Sequence, residues 1–401
     1  MKLCDVTQFY SPKSGGVRRY LMEKRRYVLD HTDDEHHLII PGDKTEYIQE
    51  GRLHTFTVAS PRVDRTSRYR ILLNTPAVRG YLRKVRPDLI EAGDPYHLAW
   101  SVIHAGKELG VPVIGFYHSH FPDAYLRTLL KYCGSRIRDM GMALARRYIV
   151  KLYSRFDATL VPSEKLSALL REWGVPGAVP VKLGVDTAAF TPGPRDWELR
   201  RKIGVPDDAF LLLYVGRLAG EKNVATLLAA FEQLKARESK GEGKRKYWLA
   251  ILGDGPLRRL LPAVRKRTHA LYWHSFVSGS AELARYYRAA DLFVHPGTVE
   301  TFGLVALETQ ACGLPLVGIR GSSMDANITA GLDLWSQKNT AEDLAQAIER
   351  GAGADLPLLG GQVAERTAAR YSWPVVCGEM WARYREVIAR HRSGIRPGPS
   401  V

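Results

Sequence analysis

Residues 210–223 read FLLLYVGRLAGEKN. Six consecutive apolar residues, 210–215, are too short a run for a buried helix and suit a strand covered on both faces. They lead into a loop bounded by Gly216 and Asn223, and then into a stretch with helical period. Strand, tight loop and helix form the repeating unit of a parallel sheet, because parallel strands need a crossover. Arg217 and Lys222 stand in that loop, at the strand's carboxyl end, where open parallel sheets hold ligands.

Working outward, the same alternation recurs. Strands are predicted at 210–215, 248–252, 271–276, 292–295 and 315–319, with helices after most of them. Residues 185–194 (VDTAAFTPGP) break the pattern and read as a linker. Before it a second set is predicted, with strands at 3–9, 37–40, 53–58, 88–91, 111–117 and 158–161. Helical patterns lie at 17–29, 71–85, 97–109 and 125–152. The fold expected is α/β, with two doubly wound, Rossmann-like domains. Domain bounds are placed at 1–186 and 196–371, joined by 187–195. A last helix, 372–391, carries Trp373, Trp381 and Tyr384 and needs an apolar surface to cover; 392–401 reads as a tail.

A length of 401 residues suits two domains, and 45% hydrophobic with 25% charged residues is ordinary for a globular chain. The four cysteines, Cys4, Cys133, Cys312 and Cys377, form no CxxC pair and have no histidine at metal-ligand spacing. That argues against disulfide frameworks and zinc sites, and for a reducing compartment. No apolar run reaches the ~18 residues of a membrane span, and a strand-like run follows Met1 directly. A cytoplasmic protein is expected.

The net charge of +16 calls for an anionic partner. Residues 62–86 hold eight Lys/Arg against Asp64 alone, and 127–155 hold eight against Asp139 alone. Solvated helix faces compete here with docking on the cytoplasmic membrane face or with an acidic acceptor. A nucleic-acid-binding protein would also use the charge, but no recognition motif accompanies it.

Four clusters carry the chemistry. Gly15-Gly16 stands between the first strand and first helix, where glycine admits a ligand close to free helix N–H groups. It is not GxGxxG, so no dinucleotide site is read. Arg217 and Lys222 suit the oxygens of one diphosphate, against the competing reading of two incidental loop cations. Residues 296–308 (PGTVETFGLVALE) set Glu300 where a helix should start and Glu308 eight residues on, both near one face. His118, Ser119 and His120 follow the strand at 111–117, and Asp94 ends the strand before it.

Together, Gly15-Gly16, GRLAGEKN and the Glu300…Glu308 run resemble glycosyltransferase family four, retaining enzymes of the GT-B fold. The resemblance spans nearly the whole chain in order, including Gly184 to Pro192 and the Tyr371-Ser372-Trp373 segment. It implies two domains facing across a cleft, with the C-terminal helix crossing back to the first. It also implies that Arg217 and Lys222 neutralise a leaving diphosphate, and that Glu300 contacts the transferred sugar. Thr301 and the amides of Phe302, Gly303 and Leu304 would lie nearby, with Glu308 on the ribose. Gly15 and Gly16 would approach the phosphates, and His118 would sit beside the reacting carbon. Asp94, Ser119 and His120 fall on the acceptor side. One departure stands out: where members commonly carry Gly-Gly-x-x-Glu, residues 320–325 read RGSSMD.

The expected function is transfer of a hexose from a UDP- or GDP-sugar to a lipid or glycan acceptor. No DxD triplet stands at these strand ends, so no metal is expected, and no cofactor beyond the donor. The alternatives are a non-catalytic sugar-nucleotide or anionic-lipid binding module, or another GT-B activity such as an epimerase or phosphorylase.

Overall fold

The computed structural model describes residues 1–10, 16–63, 69–118, 134–243, 245–300 and 302–394. They form two compact units. One takes in Met1–Leu183 together with the chain from Val376 onward, and the other is Gly184–Val375.

The first unit is built on an eight-stranded sheet. Its strands are β1 (Lys2–Val6), β2 (Glu35–Gly42), β3 (Glu46–Glu50), β4 (Leu53–Ala59), β5 (Leu89–Ala92), β6 (Val113–Phe116), β7 (Ala158–Val161) and β8 (Ala178–Pro180). Their spatial order is β3-β4-β2-β1-β5-β6-β7-β8. Every pairing is parallel except β3 with β4. The apolar runs of the sequence are the central strands, buried on both faces. The strand β3 was not anticipated. It is an exposed edge strand with Glu at both ends, joined to β4 through Gly51 at φ 59°, so it shows no hydrophobic pattern. The helix expected over 71–85 begins at Thr75, because the Asn74 side chain accepts from the Ala77 amide at 3.1 Å and caps it there.

The helix Trp373–Arg392 joins this unit from Val376 on. Trp381 Nε1 donates to Asp34 at 2.7 Å and Tyr384 donates to Glu91 at 2.6 Å, so the aromatic face expected to cover an apolar surface also carries polar anchors.

The second unit has five parallel strands: β9 (Ala209–Val215), β10 (Lys246–Leu252), β11 (Leu271–His274), β12 (Leu292–His295) and β13 (Leu316–Gly318), in the order β11-β10-β9-β12-β13. The central position of β9 accounts for its uninterrupted apolar sequence. At the strands' amino ends, fully buried Arg200 donates to Asp291 (2.9 Å) and to the carbonyls of Ala289 and Ala209, and Asp291 in turn accepts from the Leu211 amide. A buried charge with this many partners holds the helix Trp197–Lys202 against β9 and β12. Where the chain enters the unit, Gly184 lies flat on Trp373: a methyl group there would sit 2.5 Å from the ring.

Candidate active site

In the second unit the loops after β9 and β12 meet. A turn of 3-10 helix, Gly220–Lys222, and Asn223 in the left-handed region lead into the helix Val224–Ser239. The Asn223 side chain donates from Nδ2 to the Pro296 carbonyl at 3.1 Å and ties the two loops together. Lys222 forms an ion pair with Glu300 Oε1, and His295 Nε2 lies 3.2 Å from the same oxygen. Glu300 is 14% exposed. Burial pushes its carboxyl up, but the imidazole of His295 and the Lys222 ammonium outweigh that and hold it down at about 2. The carboxylate therefore stays ionised and aimed. Arg217 is 67% exposed and is engaged by Glu221 one helical turn on, rather than by Glu300.

One expectation needs correcting. Glu300 does not start a helix; the helix is Leu304–Ala311, and Glu300 stands in the loop before it. Its direction is set by Lys222 and His295, not by helical period. Glu308 is on the helix, buried, and accepts from the Tyr287 hydroxyl at 3.1 Å. Gly303 caps the helix at φ 82°, and a Cβ there would meet the Met324 side chain at 2.3 Å, so both backbone and space require glycine. The buried Phe302 holds Asn327 through its carbonyl, which accepts from Asn327 Nδ2 at 2.7 Å. Met324 and Asn327 come from the atypical 320–325 stretch and the 3-10 turn Ser323–Asn327. That loop closes on itself: Asp325 accepts from the Gly321 amide (2.8 Å) and the Ser322 hydroxyl (3.2 Å). It thus supports the glycine-capped turn from below. Thr301 lies outside the described residues.

In the first unit the candidates gather at the carboxyl ends of β1, β5 and β6. Gly16 is exposed at the start of the helix Gly16–His31. Asp94 is buried and accepts from the Gln8 amide at 2.9 Å, joining the loops after β1 and β5. Burial lifts its carboxyl to about 6. His118 stacks on Phe116 (4.0 Å between centroids) and meets Tyr20 edge-on. Gly93 packs closely on Thr7, where a methyl group would come within 3.0 Å, and would lie in ordinary contact range of His118 Nε2. Desolvation, with Lys24 adding to it, lowers His118 to about 3, so the imidazole is neutral at ordinary pH. Gly15, Ser119 and His120 lie outside the described residues.

Beneath His118 is a network that the sequence reading missed. Fully buried Lys24 bridges Asp5 (2.8 Å) and Glu91 (3.2 Å), His36 holds Asp5 at 2.5 Å, and the Tyr20 and Tyr384 hydroxyls donate to Glu91. The signal was present, since Tyr20, Lys24 and Val28 fall on one helical face and all three are buried. His295 was missed because it reads as the last residue of an apolar strand.

Among known proteins, residues 14–189 match the family described as Glycosyltransferase Family 4, and residues 195–351 match Glycosyl transferases group 1. A GDP-mannose-dependent alpha-mannosyltransferase of Corynebacterium glutamicum is 27% identical over 97% of this chain and 90% of its own length. A GDP-mannose-dependent alpha-(1-6)-phosphatidylinositol dimannoside mannosyltransferase of Mycobacterium tuberculosis is 30% identical over 87% of each. In fold, a solved sucrose-phosphate synthase from Thermosynechococcus elongatus superposes with a TM-score of 0.75 at 20% identity, covering 97% of this chain and 99% of that one. The protein is a glycosyltransferase of GT-B fold. The chain belongs to glycosyltransferase family 4. No helix among the described residues is long and apolar enough to cross a membrane.

Proposed function

We propose that this enzyme transfers mannose from GDP-mannose to a lipid-linked or glycan acceptor, with retention of configuration and without a metal at the donor. The unit holding residues 196–371 serves the donor, and residues 1–186 serve the acceptor. The printed activities of the two mannosyltransferases above support the donor; the observation that carries the site is Glu300, ionised and gripped by Lys222 and His295. A diphosphate arriving at Lys222 competes for the ammonium, and Glu300 is then free to accept from sugar hydroxyls while His295 keeps it in place. Negative charge develops on the leaving β-phosphate, and fixed cations at that point supply the largest catalytic term. Lys222 and Arg217 fill that role here. Glu308 takes the ribose, and the Phe302, Gly303 and Leu304 amides take the phosphates; for Thr301, Gly15 and Gly16 the family resemblance implies phosphate contacts. A neutral His118 serves as a hydrogen-bond partner beside the reacting carbon, not as a cation. Asp94, with Ser119 and His120, is assigned to the acceptor.

Docking on an anionic membrane also has support. The helix Ser135–Tyr153 exposes Ile137, Met140 and Leu144 (53, 61 and 56%) along one stripe, with Arg136, Arg138 and Arg147 exposed around it. An apolar stripe framed by arginines matches helices that lie in the lipid interface.

Turnover assays with GDP-mannose, UDP-glucose and other donors, run in EDTA, test the reading. GDP-mannose should be the preferred donor, with activity unchanged by the chelator and an axial product anomer by NMR. Preference for a UDP-sugar or a strict metal requirement would overturn it.

A further inference from the structure

We propose, on the reading of Arg217 as a ligand of the leaving β-phosphate, that Tyr214 is its positioning residue, the Tyr214 hydroxyl fixing the backbone from which Arg217 reaches out. Tyr214 is a buried residue of β9, three positions before Arg217. Its hydroxyl donates to the Arg217 carbonyl at 3.0 Å. The Ala219 amide donates to the same carbonyl at 3.0 Å, so both lone pairs of that oxygen are used. The Tyr214 hydroxyl passes against Gly216, where a methyl group would come within 2.8 Å of it, so the contact needs glycine at 216.

On either side of Arg217 the loop is held by backbone. The Gly216 amide donates to the Leu252 carbonyl and the Leu218 amide to the Asp254 carbonyl, each at 2.9 Å. The Leu218 carbonyl accepts from the Leu257 amide, also at 2.9 Å, and the Leu218 side chain is fully buried. The loop after β10 can come this close because it carries Gly253 and Gly255. A methyl group would sit 1.9 Å from the Gly216 carbonyl oxygen at the first and 2.5 Å from that of Leu218 at the second. Trp273 Nε1 donates to the Gly253 carbonyl at 2.8 Å and ties β11 into the same stack. Residues 216 and 218 are thus pinned by the neighbouring loop, and Tyr214 pins residue 217 between them.

This leaves the guanidinium as the part free to move. It is well exposed and pairs with Glu221, also on the surface, and such a pair is worth little. A diphosphate can therefore take Arg217 from Glu221. A long cation on a fixed root gives up only side-chain freedom when it meets a phosphate; on a loose root it gives up backbone freedom as well. Burial, with the carboxylates of Glu300 and Glu221 adding to it, pushes the Tyr214 phenol above its ordinary value, so the hydroxyl keeps its proton to donate. In the sequence Tyr214 counts only as one more member of the apolar run 210–215; its use comes from the turn that brings the Arg217 carbonyl back onto it.

Calorimetric titration of the full-length protein with GDP and with GMP tests this without an acceptor, since only GDP carries the β-phosphate. If wild type favours UDP, then UDP and UMP take their place, because the contact is to phosphate and not to the base. Tyr214→Phe keeps the ring, and the Arg217 carbonyl keeps its bond from Ala219, so the fold, checked by circular dichroism and Tm, is not at risk. The variant should bind GDP about five- to tenfold more weakly and GMP less than about twofold more weakly. Arg217→Ala should itself weaken GDP, and adding Tyr214→Phe to it should cost less than about a further twofold, because the two act as one unit. Equal weakening of GDP and GMP would mark a role in the fold alone and overturn the proposal. Unchanged GDP affinity in Tyr214→Phe, with Arg217→Ala weakened, also overturns it and leaves the donor site standing. Unchanged GDP affinity in Arg217→Ala removes Arg217 from the donor site, and the role of Tyr214 falls with it.

Discussion

Replacing Lys24 by Met is the sharpest probe of the buried network under His118. The ammonium is fully buried between Asp5 and Glu91, and the substitution keeps the volume while leaving both carboxylates without their shared cation. Removing one partner of a buried pair costs about 3–5 kcal/mol. For a unit of about 200 residues that is a fall in Tm of roughly 6–20 °C. The deficit should also depend on pH. Burial raises Glu91 from its ordinary 4.5 to about 7, with Asp5 adding to the rise and Lys24 and two tyrosines opposing it. A raised carboxyl contributes stability that is present in full below about pH 4.5 and is lost as the pH climbs through 7. Without Lys24 the rise is larger, so the variant's deficit should be greater at pH 8 than at pH 5. In the wild type Asp5 is held well below its ordinary range by Lys24 and His36 against the pull of burial, so loss of Lys24 shifts Asp5 upward as well. Calorimetry at the two pH values reads the effect, and Lys24→Met/Glu91→Gln should recover much of it. A deficit under about 1 kcal/mol, or one equal at pH 5 and pH 8, would refute this account of the network.

Lys222→Ala should lower kcat about 10²–10³-fold with folding intact, and Arg217→Ala should also lower it substantially; near-wild-type turnover in either, by steady-state kinetics, removes that cation from the site. Because His118 titrates near pH 3, it should set no limb of the rate profile between pH 5.5 and 8. His118→Asn should depress the rate while leaving the profile's shape unchanged, and the loss of a limb in the variant would contradict the neutral imidazole. Co-sedimentation with anionic vesicles should weaken as salt rises and drop further in Ile137→Ser/Met140→Ser/Leu144→Ser. Equal indifference to anionic and neutral vesicles at low salt would end the membrane reading and leave the transferase untouched.

Most of the fold was legible because parallel strands buried on both faces must be apolar throughout. The strands at 158–161 and 292–295 were read to the residue, and β9 to within one. The two strands not foreseen lack that requirement: β3 is an exposed edge, and β8 has three residues ending in Pro180. The residue types of the candidate site were legible for a related reason. Arg217, Lys222 and Glu300 are charges placed directly after apolar strands, which a merely structural loop does not need.

Partnership was not legible, because it depends on which chain positions the sheets bring together. Local sequence placed Glu300 on a helix; the packed loops instead give it to Lys222, 78 positions earlier, and to His295. Lys24 carries no signal of its partners in the local sequence; β1 and β5 set Asp5 and Glu91 against it. Likewise His37 and His54 are unremarkable in the chain, and the register of β2 on β4 stacks them. Hydrophobic period and strand-end chemistry are local properties that one chain displays by itself. The energy of a buried charge is set by neighbours a few ångströms away in space, and only the tertiary structure decides who they are.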